Sequence, residues 1–199
     1  MRAVMPEALP DVVAMRRQTG ADRWDEMWEG ELHMPPMPSF DHQDFEWALE
    51  TWLRIHWGRP RGNKVYHQIN LASLGGWPNN YRIPDLVLLT PNRFDINQGL
   101  YFEGPPTVAV EIRSPGDEAF NKLPFYAKLG VPETWIIDRD TKEVHLYVLR
   151  DSRYEQQSAG ADGWYLSEAT GIEIRCEPEG KLAIQIAGAP ETRELLPED

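Results

Sequence analysis

Three ionisable residues stand out by type and position: Asp85 in YRIPDLVLLT, Glu111 in TVAVEIRSPG and Lys122 in AFNKLPFY. Two apolar runs each deliver one carboxylate, and a lysine follows the second. A carboxylate in an apolar strand is costly unless something there needs negative charge. Two carboxylates with a nearby lysine suit a divalent cation and an activated water. Hard ions such as Mg2+ and Mn2+ take one or two carboxylates and complete their shell with water and substrate phosphate. Such an ion lowers the pKa of bound water and stabilises charge on a phosphodiester under attack. Plainer readings exist for each residue. Asp85 after Pro84 can cap a turn, and Lys122 alone reads as a surface lysine. Glu111, between Val110 and Ile112, is harder to explain that way, and the order of all three carries the inference.

The elements that must position these residues follow from local pattern. Residues 81–89 read as one strand, apolar after Asp85 as in a strand buried on both faces. Residues 90–106 form a long connection, of the length found in functional or mobile loops. Residues 107–113 are the next strand. Pro124 is tolerated only in a first helical turn, which places Lys122 at or just before the start of a helix that Gly130 ends. Lys122, Phe125, Tyr126 and Leu129 then share a helical face. Residues 134–138 and 143–149 form a hairpin around RDTK, packed by Trp135 and capped by Asp138.

Upstream, residues 41–57 read as a helix that Ser39 or Asp41 caps, with Phe45, Leu49 and Trp52 or Leu53 at helical spacing. His42, in its first turn, reads as a capping or packing residue. Residues 26–34 and 64–71 read as strands, the second with Val65, His67 and Ile69 on one face and Tyr66 and Gln68 on the other. SLGGWPNN is a loop. Residues 1–22 read as a short helix covering an edge, on the weak periodicity of Val12, Val13 and Met15. Beyond 150, apolar runs at 164–166, 172–174 and 182–186 read as a small β extension, with the last ten residues frayed. One domain over 1–199 is expected, its core at about residues 24–150.

The motifs Pro84-Asp85, Glu111-Ile112-Arg113-Ser114-Pro115, Lys122 followed by Tyr126, Gly130-Val131-Pro132-Glu133 and Trp135-Ile136-Ile137-Asp138 resemble the Uma family. Its members are restriction-endonuclease-like proteins of the PD-(D/E)XK nuclease superfamily. The resemblance runs from about Trp28 to about Val148. It implies an α/β fold, with a restriction-endonuclease-like central mixed sheet flanked by helices and a small C-terminal β extension. It also implies that Asp85, Glu111 and the Ile112 carbonyl hold Mg2+ or Mn2+, and that Lys122 positions or activates water. The superfamily's usual lysine position, two residues after the glutamate, holds Arg113 here. Arginine can bind phosphate but is a poor base. Lys122 replaces that lysine from the next helix, as the Uma family's lysine does. The family usually has an aspartate four residues before it, where this chain has Glu118 beside Asp117. An early acidic residue of the family corresponds to Glu31, with Glu29 competing, and a surface role suits either equally. The family often has a histidine at the position of His42.

Charge sets limits on partners. The formal net charge is -12, whereas a protein gripping duplex DNA through its phosphates is basic somewhere. The acidic excess is broad, including Asp22, Asp25, Glu26, Glu29, Glu31 and the tail from Glu191, against one basic run of Arg54, Arg59, Arg61 and Lys64. Strong unassisted nucleic-acid binding is therefore not expected, and a DNA-cutting enzyme of this composition would draw on a further partner. A homodimer is expected from the symmetry with which such endonucleases cut two strands. The competing reading is a non-catalytic interaction protein that retains the fold; the acidic surface and Arg113 favour it. The eight tryptophans read as core or interface residues rather than base-stacking platforms.

Other classes find little support. One cysteine, Cys176, excludes an intrachain disulfide, and with five scattered histidines it argues against zinc. Neither a glycine-rich phosphate loop nor a Gly-x-Ser-x-Gly elbow is present. The first twenty residues lack the apolar core of a signal peptide and no run approaches bilayer length. A cytoplasmic protein without a membrane partner is expected.

Overall fold

The computed structural model describes residues 3–5 and 10–197. The chain opens with β1 (Ala3–Met5), α1 (Pro10–Thr19), β2 (Glu26–Trp28), β3 (Glu31–Met34) and α2 (Phe40–Trp52). There follow β4 (Lys64–His67), β5 (Leu71–Ala72), β6 (Tyr81–Arg82), β7 (Leu86–Leu89), β8 (Phe102–Glu103) and β9 (Val108–Arg113). Next come α3 (Leu123–Leu129), β10 (Glu133–Asp138), β11 (Val144–Arg150) and β12 (Arg153–Gln156). Last are β13 (Tyr165–Ser167), β14 (Ile172–Glu177), β15 (Lys181–Ile186) and β16 (Ala189–Leu196). The fold is α/β, with mixed sheets flanked by helices and a C-terminal antiparallel sheet.

The central sheet has the order β12-β11-β10-β9-β7-β4. Its strands β9 and β10 run parallel across the α3 crossover, and its other neighbours pair antiparallel. A second sheet, β1-β3-β2-β6-β5-β8, is mixed through parallel β5 and β8. The third, β13-β14-β15-β16, is antiparallel.

Side-chain alternation makes the central sheet the middle layer. Leu86, Leu88, Val108, Val110 and Ile112 pack with α2 and the third sheet. Val87, Leu89 and Ala109 turn to the other face, against Phe125 and Tyr126 of α3 and Leu71 and Phe102 of the second sheet. Both β7 and β9 are therefore near-continuous apolar runs, as strands covered on two faces must be. Glu111 shares the face of Ala109 and points to α3.

The helices form where the sequence places them. Ser39 Oγ accepts the His42 N–H at 3.3 Å and caps α2, which buries Phe45, Leu49 and Trp52. The helix then widens into a π-turn over Leu53–Gly58. Lys122 ends a 3-10 turn, Ala119–Lys122, immediately before α3, and Pro124 lies in the first turn. Gly130 closes the helix at φ 85°, a conformation that favours glycine.

Several expectations are corrected. Residues 81–89 are two strands in different sheets, joined by a bend at Ile83, Pro84 and Asp85. Residues 26–34 are a hairpin, because Glu29 and Gly30 both take positive φ. The 64–71 strand breaks at Gln68, φ 47°, and Ile69 consequently packs on the face of Tyr66 rather than that of Val65. β1, within the stretch expected as helix, forms the edge of the second sheet, and α1 has no fully buried side chain, with Arg16 bonded to Asp25; residues 1–2 and 6–9 lie outside the described ones. The tail is not frayed: β16 pairs with β15, and its last residue, Leu196, is buried. Residues 198–199 lie outside the described ones. β12 joins the central sheet, so that sheet continues past residue 150.

Candidate active site

Asp85 lies in the bend between the second and central sheets. The β7–β9 ladder ends at Leu86 opposite Val110, which leaves the Ile112 N–H beyond it. Asp85 Oδ2 accepts that N–H at 2.6 Å and completes the ladder with a side chain. Its Oδ1 lies 3.0 Å from His42 Nε2, and His42 Nδ1 lies 3.3 Å from Ser114 Oγ. Burial works against a charged imidazole, but the hydrogen bond and charge of Asp85, with the charge of Glu46, outweigh it and raise the His42 pKa. Glu46 is one helical turn on from His42 and on the same face. Its Oε2 accepts from Gln68 at 3.1 Å, while its Oε1 is buried without a hydrogen-bond partner. Burial first, then the charge of Asp85, push the Glu46 carboxyl up to about 8. One ligand atom from each of His42, Glu46 and Asp85 lies within 4.8 Å of the others.

Glu111 reaches the same place from β9. Its Oε2 accepts from Lys122 Nζ at 2.9 Å, and its Oε1 accepts from the Tyr126 hydroxyl. Lys122 also donates to the Ile83 carbonyl at 3.2 Å and pairs with Glu26 Oε1 at 2.8 Å. Glu26 is itself fixed by the N–H of Ile83 at 2.7 Å and by Trp28 Nε1 at 2.6 Å. Behind them Arg82 is held between the rings of Trp28 and Phe125, 4.1 and 4.3 Å from their centroids. Burial pushes Glu111 up to about 8, against the pull of Lys122. For Lys122 burial acts downward, but Glu111, Glu26 and Asp85 outweigh it and hold the ammonium well above its ordinary pKa. Glu26, Asp85 and Glu111, backed by Glu46, thus crowd around Lys122 and His42. Carboxylates held this densely create demand for a cation.

A pocket of about 430 Å³ is lined by Glu26, His42, Asp85, Glu111, Ile112 and Lys122, together with Trp24 and Pro35 to Pro38. The remaining sequence candidates are placed differently. Glu118 lines the pocket, its Oε2 3.0 Å from His33 Nδ1. Arg113 turns to Asp138 Oδ2 at 2.9 Å and lies over the Phe120 ring. Glu31 is exposed on the hairpin and does not line the pocket, and Glu29 is engaged with Arg82 and Asn80. The acidic residue that the hairpin delivers is Glu26. Nothing in its sequence neighbourhood marks it apart from other acids there. Glu46 carries a signal that was available, its four-residue spacing from His42 on a helix. His42 does not serve as the cap; Ser39 does that, and the ring is spent on Asp85.

Comparison with known proteins places this arrangement. A family model described as "Putative restriction endonuclease", Uma2, matches residues 8–183. A crystal structure of "a putative nuclease belonging to DUF820" from Anabaena variabilis superposes with a TM-score of 0.58 at 18% identity, covering 73% of this chain and 82% of that one. At that identity the likeness is one of fold. No curated protein matches the sequence. Among the described residues no helix is long and apolar enough to cross a membrane. With a family match over most of its length, the chain belongs to the Uma2 family.

Proposed function

We propose that this protein is a metal-dependent endonuclease that hydrolyses phosphodiester bonds, with DNA as its substrate. The observation that carries the reading is the convergence of Asp85, Glu111, Ile112 and Lys122 on one pocket from a bend, a strand and a helix start. The donor set suits a hard divalent cation. Asp85 and Glu111 supply carboxylates, and the Ile112 carbonyl, on the same side of β9 as the N–H that meets Asp85, supplies a third oxygen. Glu46 brings a further carboxylate from α2 close to Asp85; its Oε1 makes no hydrogen bond and lies 3.8 Å from His67 Nδ1.

When bound, the ion supplies an acidified water and neutralises charge on the phosphate. The chain's own residues then have distinct tasks. Lys122 stays protonated near neutral pH, so it orients water and balances developing negative charge and does not act as a base. Tyr126 and Glu26 fix Glu111 and Lys122 relative to each other. His42 holds Asp85 through one nitrogen and is itself oriented by Ser114 through the other. Glu118 borders the pocket as an accessory acid. Arg113, at the strand position usual for the lysine, pairs with Asp138 through one nitrogen and would offer its remaining N–H groups to phosphate.

A second reading, a binding protein that keeps the fold without useful cleavage, draws on that tie between Arg113 and Asp138 and on the net charge of -12. Under the first reading a homodimer in the cytoplasm, helped in DNA affinity by a further partner, fits the same acidic surface. The test is cleavage of labelled single- and double-stranded DNA and RNA with Mg2+ or Mn2+, comparing wild type with Asp85→Ala, Glu111→Ala and Lys122→Ala. Cleavage by wild type that each substitution abolishes supports the enzyme. Folded, metal-bound wild type that cuts none of the substrates selects the binding reading.

A further inference from the structure

We propose that the outward face of α2 is a binding track for single-stranded nucleic acid, running from a basic cleft at its C-terminal end to the candidate active-site pocket. The proposal takes its purpose from the nuclease reading and names the substrate class for it.

The inward face of α2 already contributes Phe45, Leu49 and Trp52 to the core. On the outward side Phe40 is 86% exposed and Trp47 is 69% exposed. They are seven residues apart, two helical turns, and so stand in line. Met37, just before the cap of α2 and 64% exposed, lines the active-site pocket. In the other direction the next residue in line is Arg54, about 20 Å from Phe40 at the helical rise. There the chain enters residues 54–64, with four of its 20 lysines and arginines and no acidic residue. Arg54, Arg59 and Lys64 line a cleft of about 380 Å³ beside the π-turn. Arg54 is paired with Glu50 at 2.6 Å, which leaves Arg59 and Lys64 as the main charges offered to an anion.

Phe40 and Trp47 leave two large rings open to a partner along one side of the helix. Their partner is set by what lies at each end of the line. A basic cleft followed by spaced aromatic rings matches how single strands are held, with phosphates in the cleft and bases stacked on rings. A duplex keeps its bases inside and presents only phosphates, which the net charge of -12 repels. Asp44, exposed between the two rings, repels the phosphates of either form, so the preference for a single strand rests on stacking. The track thus reconciles an acidic chain with a nucleic-acid substrate, since stacking replaces most of the phosphate contacts.

Fluorescence anisotropy of labelled oligo-dT and of a duplex of equal length, in EDTA, tests the track apart from cleavage. Wild type should bind the single strand more tightly than the duplex. Phe40→Ala and Trp47→Ala should each weaken binding about five- to 150-fold, the range for base–aromatic stacking. Arg59→Ala with Lys64→Ala should flatten the salt dependence by about 0.7 in log–log slope for each phosphate released. All four side chains lie outside the core, and unchanged melting temperatures would verify that the variants fold. Equal or tighter duplex binding, or ring variants that bind as wild type, would overturn the proposal. So would sedimentation showing that wild type self-associates through this face and Trp47→Ala does not. Oligo-dT bound through the rings but never cut with Mn2+ would leave the track standing and reject the nuclease. Cleavage that ignores the rings would do the reverse.

Discussion

Lys122 shows how the residue scale couples stability to chemistry. Its ammonium meets Glu111 at 2.9 Å and Glu26 at 2.8 Å with little access to water. Removing one partner from a buried ion pair costs about 3–5 kcal/mol, because the other charge is left uncompensated. Lys122→Ala should therefore lower stability by that order in metal-free buffer, measured by chemical denaturation. A loss within the range of a surface substitution would show that proton uptake by Glu111 or another cation compensates the two carboxylates. Glu46 makes the opposite prediction. Its carboxyl, ordinarily near 4.5, is pushed up to about 8 by burial and by Asp85. A folded-state pKa above the unfolded one gives stability that is full below about pH 4.5 and lost as pH rises through about 8. Glu46→Gln keeps an oxygen for Gln68 and removes the ionisation. The variant should hold its denaturation midpoint between pH 5 and pH 9 better than wild type, both without metal.

At the scale of elements, the β10–β11 hairpin turns on Asp138. Its Oδ1 accepts the N–H groups of Asp140 and Thr141 at 3.0 and 2.9 Å and the Thr141 hydroxyl at 3.0 Å, while Oδ2 faces Arg113. Burial alone would raise this carboxyl, but those hydrogen bonds and the charge of Arg113 together lower its pKa. A depressed folded-state value gives stability present above the unfolded pKa and lost as pH falls through the folded one. Asp138→Asn should thus be less stable than wild type at pH 7, and the gap should narrow on acidification toward pH 3, followed by denaturant titration at each pH. The same hairpin was legible in the sequence, because RDTK between two apolar runs is a local signal. The second sheet was not. Its strands β5, β6 and β8 are two residues each, too short to show a period, and the Pro84-Asp85 turn signal that separates β6 from β7 does not say that the two strands join different sheets.

Across the whole molecule the C-terminal sheet is structural. Trp52 Nε1 donates to the Thr192 carbonyl at 2.9 Å, and Trp57 Nε1 donates to that of Thr170 at 3.1 Å. Glu133, buried in β10, accepts the Ser167 hydroxyl at 2.5 Å and the Ala169 N–H at 2.8 Å. Ile172, Ile174, Leu182 and Ile184 belong to the same core cluster as α2 and the central strands. We propose on these contacts that residues 1–199 fold as one domain. Truncation after Gln157, which keeps β12 and removes the third sheet, should then yield a chain without a cooperative thermal transition, seen by circular dichroism and calorimetry. A truncated chain melting cooperatively near the wild-type temperature would instead make the last sheet a separate unit.

What the sequence determined by itself was local or written into near-continuous apolar runs: β9, the start of α3 at Lys122, the Gly130 cap, the hairpin, and the Asp85, Glu111 and Lys122 order within a family pattern. Proline, glycine and side-chain period act over a few residues, so they can be read without knowing the fold. Only the tertiary structure decided that Glu26 rather than Glu31 meets Lys122, that His42 and Glu46 stand beside Asp85, and that Arg113 turns to Asp138. Those choices depend on which strands become neighbours and on which side chain fills a gap in a ladder. Both are fixed by burial of the two faces of the central sheet, a property of the whole chain and not of any segment.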